Sequence, residues 1–271
     1  MSYDQANRSS TYSSGLVRDP VGTHTSRTIM VQHLARLLAA TSPETGYEEI
    51  RSAVLERNVL QRPNMAGRTE MLRRLRELYG LDPHIVIYRG LRVLWECSPA
   101  EQPLLAMMCA LARDPVLQAS AGLILSTPCG QPVDKQAMQD HLSRAFPSRY
   151  SAGVLAGMTR RILSSWTQSG HIVGRSSKVR AAAPAGPAAA AYAVLLAYLE
   201  GARGNGIFDT MWVQVLDADN AALHRLAVDA SRRGWIDYFR AGTVVELRPS
   251  GILAEAVHKL RGDHVQSPAA P

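Results

Sequence analysis

The chain has 271 residues, of which 46% are hydrophobic and 20% are charged. This balance excludes a disordered protein and suffices for one large domain or two smaller ones. The formal net charge of +7 makes a polyanionic partner a reasonable hypothesis. Three cysteines without ligand spacing, no N-terminal signal pattern and no apolar run of about 20 residues predict a cytoplasmic protein that does not enter a membrane.

The first half of the chain has the apolar periodicity of a helical bundle. Residues 1–25 are rich in Ser, Thr, Tyr and Gly and predict a flexible tail. A helix is predicted after Ser26, and Thr45 with Glu48 predicts a capping box for the next one. Further predicted helices cover residues 66–79, 84–96, 103–113 and 115–125. These patterns predict a helical bundle domain over residues 26–126.

The next segment predicts a winged-helix-like unit over residues 127–185. Helical patterns over 134–146 and 151–168 are separated by a Pro-Ser turn. Two short β-prone pieces, 171–173 and 178–180, follow and flank a polar turn. The order helix, turn, helix, two-stranded wing is that of a winged helix.

A similar order recurs over residues 186–260, with a tail predicted over 261–271. This second unit has a helix near 192–199, a short element over 208–216, a helix over 220–233, and β-prone segments over 234–239 and 243–247. The predicted fold class is therefore mainly α, with a helical bundle N-terminal half followed by two winged-helix-like units with short β-hairpins.

Acidic residues are unevenly distributed, which singles out the first winged-helix-like unit. From His141 to Leu199 the sequence has no Asp or Glu but seven Arg and Lys residues. Without local carboxylates, phosphates of a nucleic-acid backbone could pair with these cations. The candidate nucleic-acid-binding residues here are Arg149, Arg160, Arg161, Arg175, Lys178 and Arg180. The alternative is an ordinary solvated surface that happens to lack acids.

A second basic region spans Arg51 to Arg92 and includes the predicted helix over 66–79. Its candidate nucleic-acid-binding residues are Arg68, Arg73 and Arg74. Acids are interleaved at helical spacing, so Glu70 could pair with Arg73 or Arg74, and Glu77 with Arg73. A nucleic-acid contact and a salt-bridged exposed helix are equally compatible with this pattern.

No motif for catalysis, metal binding or a phosphate loop is present. We therefore expect no catalytic residues, no cofactor and no metal. The four tryptophans follow apolar spacing and are expected in cores, with Trp235 the one considered for exposure. His224 is expected to be a packing residue.

Several Arg-rich helical segments follow one another in a characteristic order. They are Glu56-Arg-Asn-Val-Leu-Gln-Arg62, Thr69, Leu72-Arg-Arg-Leu75 and Leu81-Asp-Pro83, followed by Gln102-Pro-Leu-Leu105, Asp114-Pro115 and Thr159-Arg-Arg161. Together they resemble the BrxA proteins of BREX phage-defence systems. The resemblance covers residues 27–250 through pattern and order, and leaves out the first 25 residues and the Pro/Ala-rich stretch over 181–191.

The resemblance implies a small, non-enzymatic, helical DNA-binding component of a multi-protein phage-restriction system. Its partners would include a methyltransferase, an ATPase and a phosphatase-like protein. Residues and resemblance together predict binding of double-stranded DNA, mainly through phosphates. Alternatives are a protein–protein scaffold, RNA binding by the helical half and a repressor-like transcription regulator, while an enzyme has the least support. The sequence makes no prediction of the oligomeric state.

Overall fold

The structure, a computed structural model, describes residues 13–18, 22–242 and 244–261. It is mainly α-helical with two small antiparallel hairpins, which confirms the predicted mainly α class. The helices of the first half are α1 (Val31–Ala39), α2 (Tyr47–Leu55), α3 (Met65–Tyr79), α4 (Val86–Cys97), α5 (Gln102–Arg113), α6 (Pro115–Ala119) and α7 (Ala121–Ser126). In α3, Met71, Leu75 and Leu78 are buried on one face, as their spacing predicts.

Two helix boundaries differ from the predictions. Helix α2 begins after Gly46 without a side-chain cap, and the Thr45 hydroxyl instead accepts the Ser42 N–H at 2.9 Å. The capping box was therefore wrong. The helix predicted over 115–125 is divided at Ser120, whose hydroxyl donates to the Leu117 carbonyl at 2.6 Å and accepts the Trp166 indole N–H at 2.8 Å.

The N-terminal segment is packed where the structure describes it. Ser13 forms a parallel bridge with Ile85, and the Val17 N–H donates to the Ala112 carbonyl at 3.0 Å. Residues 23–25 form a short 3-10 helix in which His24 is fully buried. The flexible-tail prediction is thus wrong for residues 13–18 and 22–25, because they find hydrogen-bond partners in the helical core. Residues 1–12 and 19–21 lie outside the described residues.

The second half contains helices and hairpins in the predicted order. Its elements are α8 (Lys135–Ala145), α9 (Ala152–Gln168), β1 (Ile172–Val173), β2 (Val179–Arg180), α10 (Pro187–Leu199), α11 (Met211–Gln214), α12 (Asn220–Arg232), β3 (Ile236–Ala241), β4 (Val244–Pro249) and α13 (Gly251–Arg261). Strand β1 pairs with β2, and β3 pairs with β4. The side chains of Asp134, Ser151 and Asp219 cap α8, α9 and α12. Helix α13 was not predicted, and the tail predicted over 261–271 begins with its last residue; residues 262–271 lie outside the described residues.

Helix α10 joins the two halves through one core. It begins at Pro187, earlier than predicted, and packs on α4, α5 and α12. The Tyr192 hydroxyl donates to the Ile87 carbonyl at 2.9 Å, and the Glu101 carboxylate accepts N–H groups at the start of α10. Residues on both sides of the predicted boundary at 185 therefore share a hydrophobic core. Although α10 is strongly apolar, neither it nor any other described helix has the length and apolar character needed to cross a membrane.

Candidate nucleic-acid interface

Helices α8 and α9 and the first hairpin form one compact unit. Helix α8 packs on α9, and α9 packs on β1. Residues 130–133, just before α8, run along β2: the Val133 N–H donates to the Lys178 carbonyl at 2.8 Å, and the Arg180 N–H donates to the Gln131 carbonyl at 2.9 Å. These backbone hydrogen bonds fix the hairpin relative to the start of α8, so the side chains between them are held on a rigid frame.

A groove of about 520 Å³ opens where the start of α8, the middle of α9 and the hairpin turn meet. Its polar lining residues are Asp134, Lys135, Arg160, Ser164, Ser176, Ser177 and Lys178. The structure thus brings together two of the predicted site residues, Arg160 and Lys178, with three serine hydroxyls. Three cations and one carboxylate give the groove a net positive lining.

The two predicted cations of the groove are held differently. Arg160 is exposed on α9 and has no hydrogen bond or ion pair with any residue that the structure describes. The Lys178 ammonium donates to the Thr167 hydroxyl and to the Gly174 carbonyl, both at 3.0 Å. These neutral acceptors position the ammonium between α9 and the turn without cancelling its charge, so both cations remain available to an anion.

Lys135 is a groove cation that sequence reasoning missed. It is the exposed first residue of α8, and it lies just outside the acid-free segment, between two aspartates. The Asp134 carboxylate accepts the Gln136 N–H at 2.8 Å, and the Asp140 carboxylate accepts the Gln136 amide at 2.8 Å. Each carboxylate thus bonds to a neutral donor, and Lys135 has no ion pair with a described residue. Only the fold shows that Lys135 faces the same groove as Arg160.

Two further predicted residues lie beyond the groove. Arg175 is exposed in the hairpin turn, which depends on Gly174 at φ +90°, because a side chain there would collide with the Ser177 carbonyl. Arg149 lies before α9, with its guanidinium 5.8 Å from the centre of the Tyr150 ring. From there to Arg160 is about 12 Å or more along the helix axis, so Arg149 belongs to the other end of α9.

Arg180 is not part of this surface, and its predicted role was wrong. Its side chain is 2% exposed, and its guanidinium forms a two-point ion pair with the Asp217 carboxylate. It also donates to the Ile124 carbonyl at 2.9 Å. The carboxylate that the local sequence lacks comes from 37 residues away, so Arg180 is neutralised inside the fold.

His171 completes this buried polar cluster. One ring nitrogen, Nδ1, lies 2.8 Å from the Ser169 hydroxyl, and Nε2 lies 2.8 Å from the Val215 carbonyl, to which it donates. Burial lowers the pKa of His171 to about 4, a shift that Val215 and Asp217 oppose and Arg180 reinforces. The imidazole is therefore neutral at pH 7, and it fixes the base of the hairpin.

Arg161 turns inward, unlike its neighbour Arg160. Its guanidinium donates to the backbone carbonyls of His24, at 3.0 Å, and Thr25. Burial, followed by the charges of Arg160 and Arg27, lowers the pKa of Arg161. Its donors hold the N-terminal segment against α9, so the structure gives Arg161 a positioning role in place of the predicted phosphate contact.

The second predicted patch, Arg68, Arg73 and Arg74, is internally paired. Arg73 lies 2.8 Å from the Glu70 carboxylate and 2.7 Å from that of Glu77, and Arg74 contacts the same two carboxylates at 2.8 and 3.1 Å. Hydrogen bonds from Arg74 and Arg73 lower the pKa of Glu70. Arg68 donates to the Leu55 carbonyl at 2.8 Å. The structure therefore supports the salt-bridged interpretation of this helix and not an unpaired basic patch.

A buried Ser–His–Asp chain lies beneath α9 and was not predicted. His24 Nδ1 is 2.7 Å from the Asp114 carboxylate, and Nε2 is 2.7 Å from the Ser165 hydroxyl. The same hydroxyl accepts the Ile29 N–H at 3.1 Å and donates to the Arg161 carbonyl at 3.0 Å. Since Ser165 is buried and its hydroxyl is fully engaged, the chain joins three parts of the fold and presents no accessible nucleophile.

The aromatic residues lie largely as expected. Trp166 and Trp212 are fully buried, whereas Trp235 is half-buried near the Arg233 guanidinium, which lies 5.3 Å from its ring centre. His224 Nδ1 is 2.7 Å from the Tyr238 hydroxyl, so the prediction of a packing histidine is confirmed. Base stacking therefore has no exposed tryptophan platform among the described residues.

The described residues define a class of protein: a mainly helical fold with a basic groove between two helices and a hairpin. Among them, no group of three or more His, Cys, Asp or Glu side chains is arranged to hold a metal ion. Comparison with models of known protein families gives no match, and comparison with curated proteins gives none either. The groove is therefore the structural basis for a functional proposal.

Proposed function

We propose that this protein binds double-stranded DNA through its phosphate backbone and acts, without catalysis, in a BREX-type phage-defence assembly. The observation that carries the proposal is the exposed Arg160 guanidinium, which shares a groove with Lys135 and Lys178 and has no partner among the described residues. Cations without internal partners gain most from a polyanion, because binding releases the counterions condensed on DNA.

The geometry of the unit supports a duplex as the polyanion. In a winged helix, the second helix enters the major groove while the wing contacts flanking phosphates. Helix α9 is the second helix of this unit, and the hairpin turn carries Arg175 next to Ser176 and Ser177. These hydroxyls can donate neutral hydrogen bonds to phosphates. With one exposed arginine in the middle of α9, we expect modest sequence preference.

A protein–protein scaffold is the second candidate, and one observation favours it. Phe239 and Val244, on the second hairpin, are 64% and 68% exposed. Exposed apolar side chains at the tip of a hairpin are typical of contacts with other proteins. A duplex-binding experiment with groove variants separates DNA binding from a scaffold function.

The test is fluorescence anisotropy of a labelled random-sequence duplex over a series of salt concentrations. The double variant Arg160→Gln/Arg175→Gln, called the groove variant below, removes one cation of the groove and the exposed arginine of the adjoining hairpin turn. It should bind about tenfold more weakly at low salt, and the log–log salt slope should fall by about 0.9 for each phosphate that the variant no longer neutralises. Structured RNA as an unlabelled competitor should displace the duplex poorly.

The matched control is Arg51→Gln/Arg57→Gln, which removes the same charge from exposed positions on and just after α2. This variant should keep the affinity within about twofold. Equally weakened binding in both variants would reduce the effect to net charge and remove the groove assignment. Unchanged affinity in the groove variant, or no duplex binding by the parent protein, would favour the scaffold.

A further inference from the structure

A cleft of about 710 Å³ lies on the N-terminal half, where residues 27–33 pass Arg62 and the end of α9. Its charged lining consists of Arg27 and Arg62, with His33 as a further titratable group and no carboxylate. Gln168, the last residue of α9, also lines it and accepts the Val31 N–H at 3.3 Å through its amide oxygen, which leaves the amide nitrogen as a donor. The polar side chains of this cleft are thus mainly donors.

Arg62 is the most informative of these residues. Its Nε is buried without a hydrogen-bond partner, as are those of Arg89 and Arg92. The other two arginines nevertheless use their terminal nitrogens: Arg89 contacts the Glu44 carboxylate at 3.4 Å, and Arg92 donates to the Leu38 carbonyl at 3.0 Å. No side-chain partner of Arg62 is found among the described residues. The Arg62 guanidinium thus makes no hydrogen bond to the described residues, and its terminal nitrogens remain as donors for a ligand in the cleft.

His33 shows that the cleft is electropositive. Burial lowers the pKa of His33 first, and the charges of Arg62, Arg36 and Arg27 lower it further. The guanidinium groups of Arg62, Arg36 and Arg27 therefore all act on the His33 imidazole, and no carboxylate contributes to the shift of its pKa. A divalent or polyvalent anion is the ligand that this arrangement would stabilise most.

We propose that this cleft binds a phosphate group, held by the Arg27 and Arg62 guanidinium groups with His33 beside them. The guanidinium fork matches two phosphate oxygens, which explains why arginines and not lysines provide the charge. The site is separate from the groove at α8 and the first hairpin. It does not coincide with the predicted patch of Arg68, Arg73 and Arg74, whose arginines bond to carboxylates and to a backbone carbonyl.

The phosphate could belong to a nucleic-acid backbone or to a free phosphate compound. The first source fits the position of the cleft, because Arg161 reaches from α9 to the carbonyls of His24 and Thr25, close in sequence to Arg27. The charges of Arg160, from the groove, and of Arg27, from the cleft, both act on Arg161. A free phosphate compound could bind in the cleft whether or not the cleft adjoins the groove. Titration with small phosphates and with a duplex distinguishes the two sources.

The experiment follows the histidine side-chain NMR signals of the full-length protein during pH titrations without ligand and with inorganic phosphate, pyrophosphate or a short random-sequence duplex. A His33→Gln variant assigns the signal. A bound phosphate should raise the pKa of His33 by about 1, because an opposite charge nearby favours the imidazolium form. The signal of the exposed His258 serves as an internal reference.

Arg62→Gln should abolish this rise without unfolding the protein, since the Arg62 side chain bonds to no described residue. The control Arg51→Gln, on α2 and outside the cleft, should leave it unchanged. A response to phosphate or pyrophosphate would support a free phosphate compound as the ligand, and a response to the duplex alone would support a backbone phosphate. No response to any probe, or an equal response in Arg62→Gln, would overturn the proposal.

The groove variant Arg160→Gln/Arg175→Gln separates this inference from the proposed function. If the groove binds no DNA, the response of His33 to phosphate or pyrophosphate in this variant still stands as evidence for the cleft. If only the cleft fails, the duplex affinity of Arg62→Gln should equal that of the parent protein while the groove variant remains weak.

Discussion

The two helix–hairpin units differ in how their hairpins are held and in how their charges are balanced. Strands β1 and β2 have two residues each, whereas β3 and β4 have six each. A hairpin as short as the first is not stable by itself. The buried His171 and the buried Arg180–Asp217 ion pair stabilise this first hairpin. The second hairpin is instead stabilised by buried apolar residues such as Val245 and Leu247.

The two units also differ in their numbers of cationic and acidic residues. The segment from residue 141 to 199 has seven cations and no acid, whereas residues 217–250 have five arginines and five acids. In the second unit, Arg248 pairs with Asp237 at 2.8 Å and Arg232 with Asp229 at 3.5 Å. In the first unit, Arg180 pairs with a carboxylate, whereas Arg160 and Arg175 have no carboxylate partner among the described residues. The comparison indicates that a similar local order of helices and hairpin carries an excess of cations in one unit and balanced charges in the other.

The largest expected effect concerns the buried pair of the first unit. Asp217→Asn removes the carboxylate but keeps the shape, and leaves the Arg180 guanidinium buried without a counter-charge. We expect the free energy of unfolding to fall by about 3 kcal/mol or more. The matched variant of the second unit, Asp237→Asn, breaks an exposed pair and should cost about 0.5 kcal/mol. Urea denaturation measures both, and similar decreases would break the comparison.

The second prediction concerns the pH dependence of stability. His171 is neutral when folded because burial lowers its pKa to about 4, so protonation favours the unfolded chain. Its contribution is complete above the ordinary pKa of 6.5 and disappears as the pH falls toward 4, about 3 kcal/mol over the whole window.

His171→Gln should flatten this dependence between pH 6.5 and pH 4, as measured by urea denaturation at several pH values. The second unit supplies the control, His224, which is half-buried and whose pKa is lowered by burial and by the charge of Arg240. His224→Gln should leave most of the pH slope in place. An unchanged slope in His171→Gln would contradict the buried neutral imidazole.

The third prediction tests whether the DNA-binding surface of the first unit extends to the start of α8. Lys135→Gln removes the groove cation that lies outside the acid-free segment, and we expect duplex affinity to fall about threefold. Lys259→Gln, on α13, is the matched control. Anisotropy at low salt measures both, and equal affinities of Lys135→Gln and the parent protein would move the DNA path away from the start of α8.

The smallest effect is expected in the second unit. Arg232→Gln/Arg240→Gln removes two exposed arginines near the second hairpin, where acids balance the charge. Duplex affinity should change by less than about twofold. A decrease as large as that of Arg160→Gln/Arg175→Gln would show that the two units contribute alike, in conflict with the difference in charge balance.

Much of the helical framework was predictable because it depends on local patterns. The stripe of Met71, Leu75 and Leu78 and the capping positions Asp134 and Ser151 involve neighbours within a few residues. Helix α13 was missed, and Thr45 was wrongly given a capping role, because a short motif does not reveal which backbone group is nearest in space.

The sequence by itself determined the mainly helical class, the order of two helices before each hairpin, and the excess of cations around α9. Only the tertiary structure decided which of those cations face outward. Arg180 forms an ion pair with Asp217, and Arg161 donates hydrogen bonds to the carbonyls of His24 and Thr25. Arg160 forms neither kind of contact with the described residues. The physical reason is that Coulomb energy and hydrogen bonding depend on distance through space, which a count of charges along the chain does not contain.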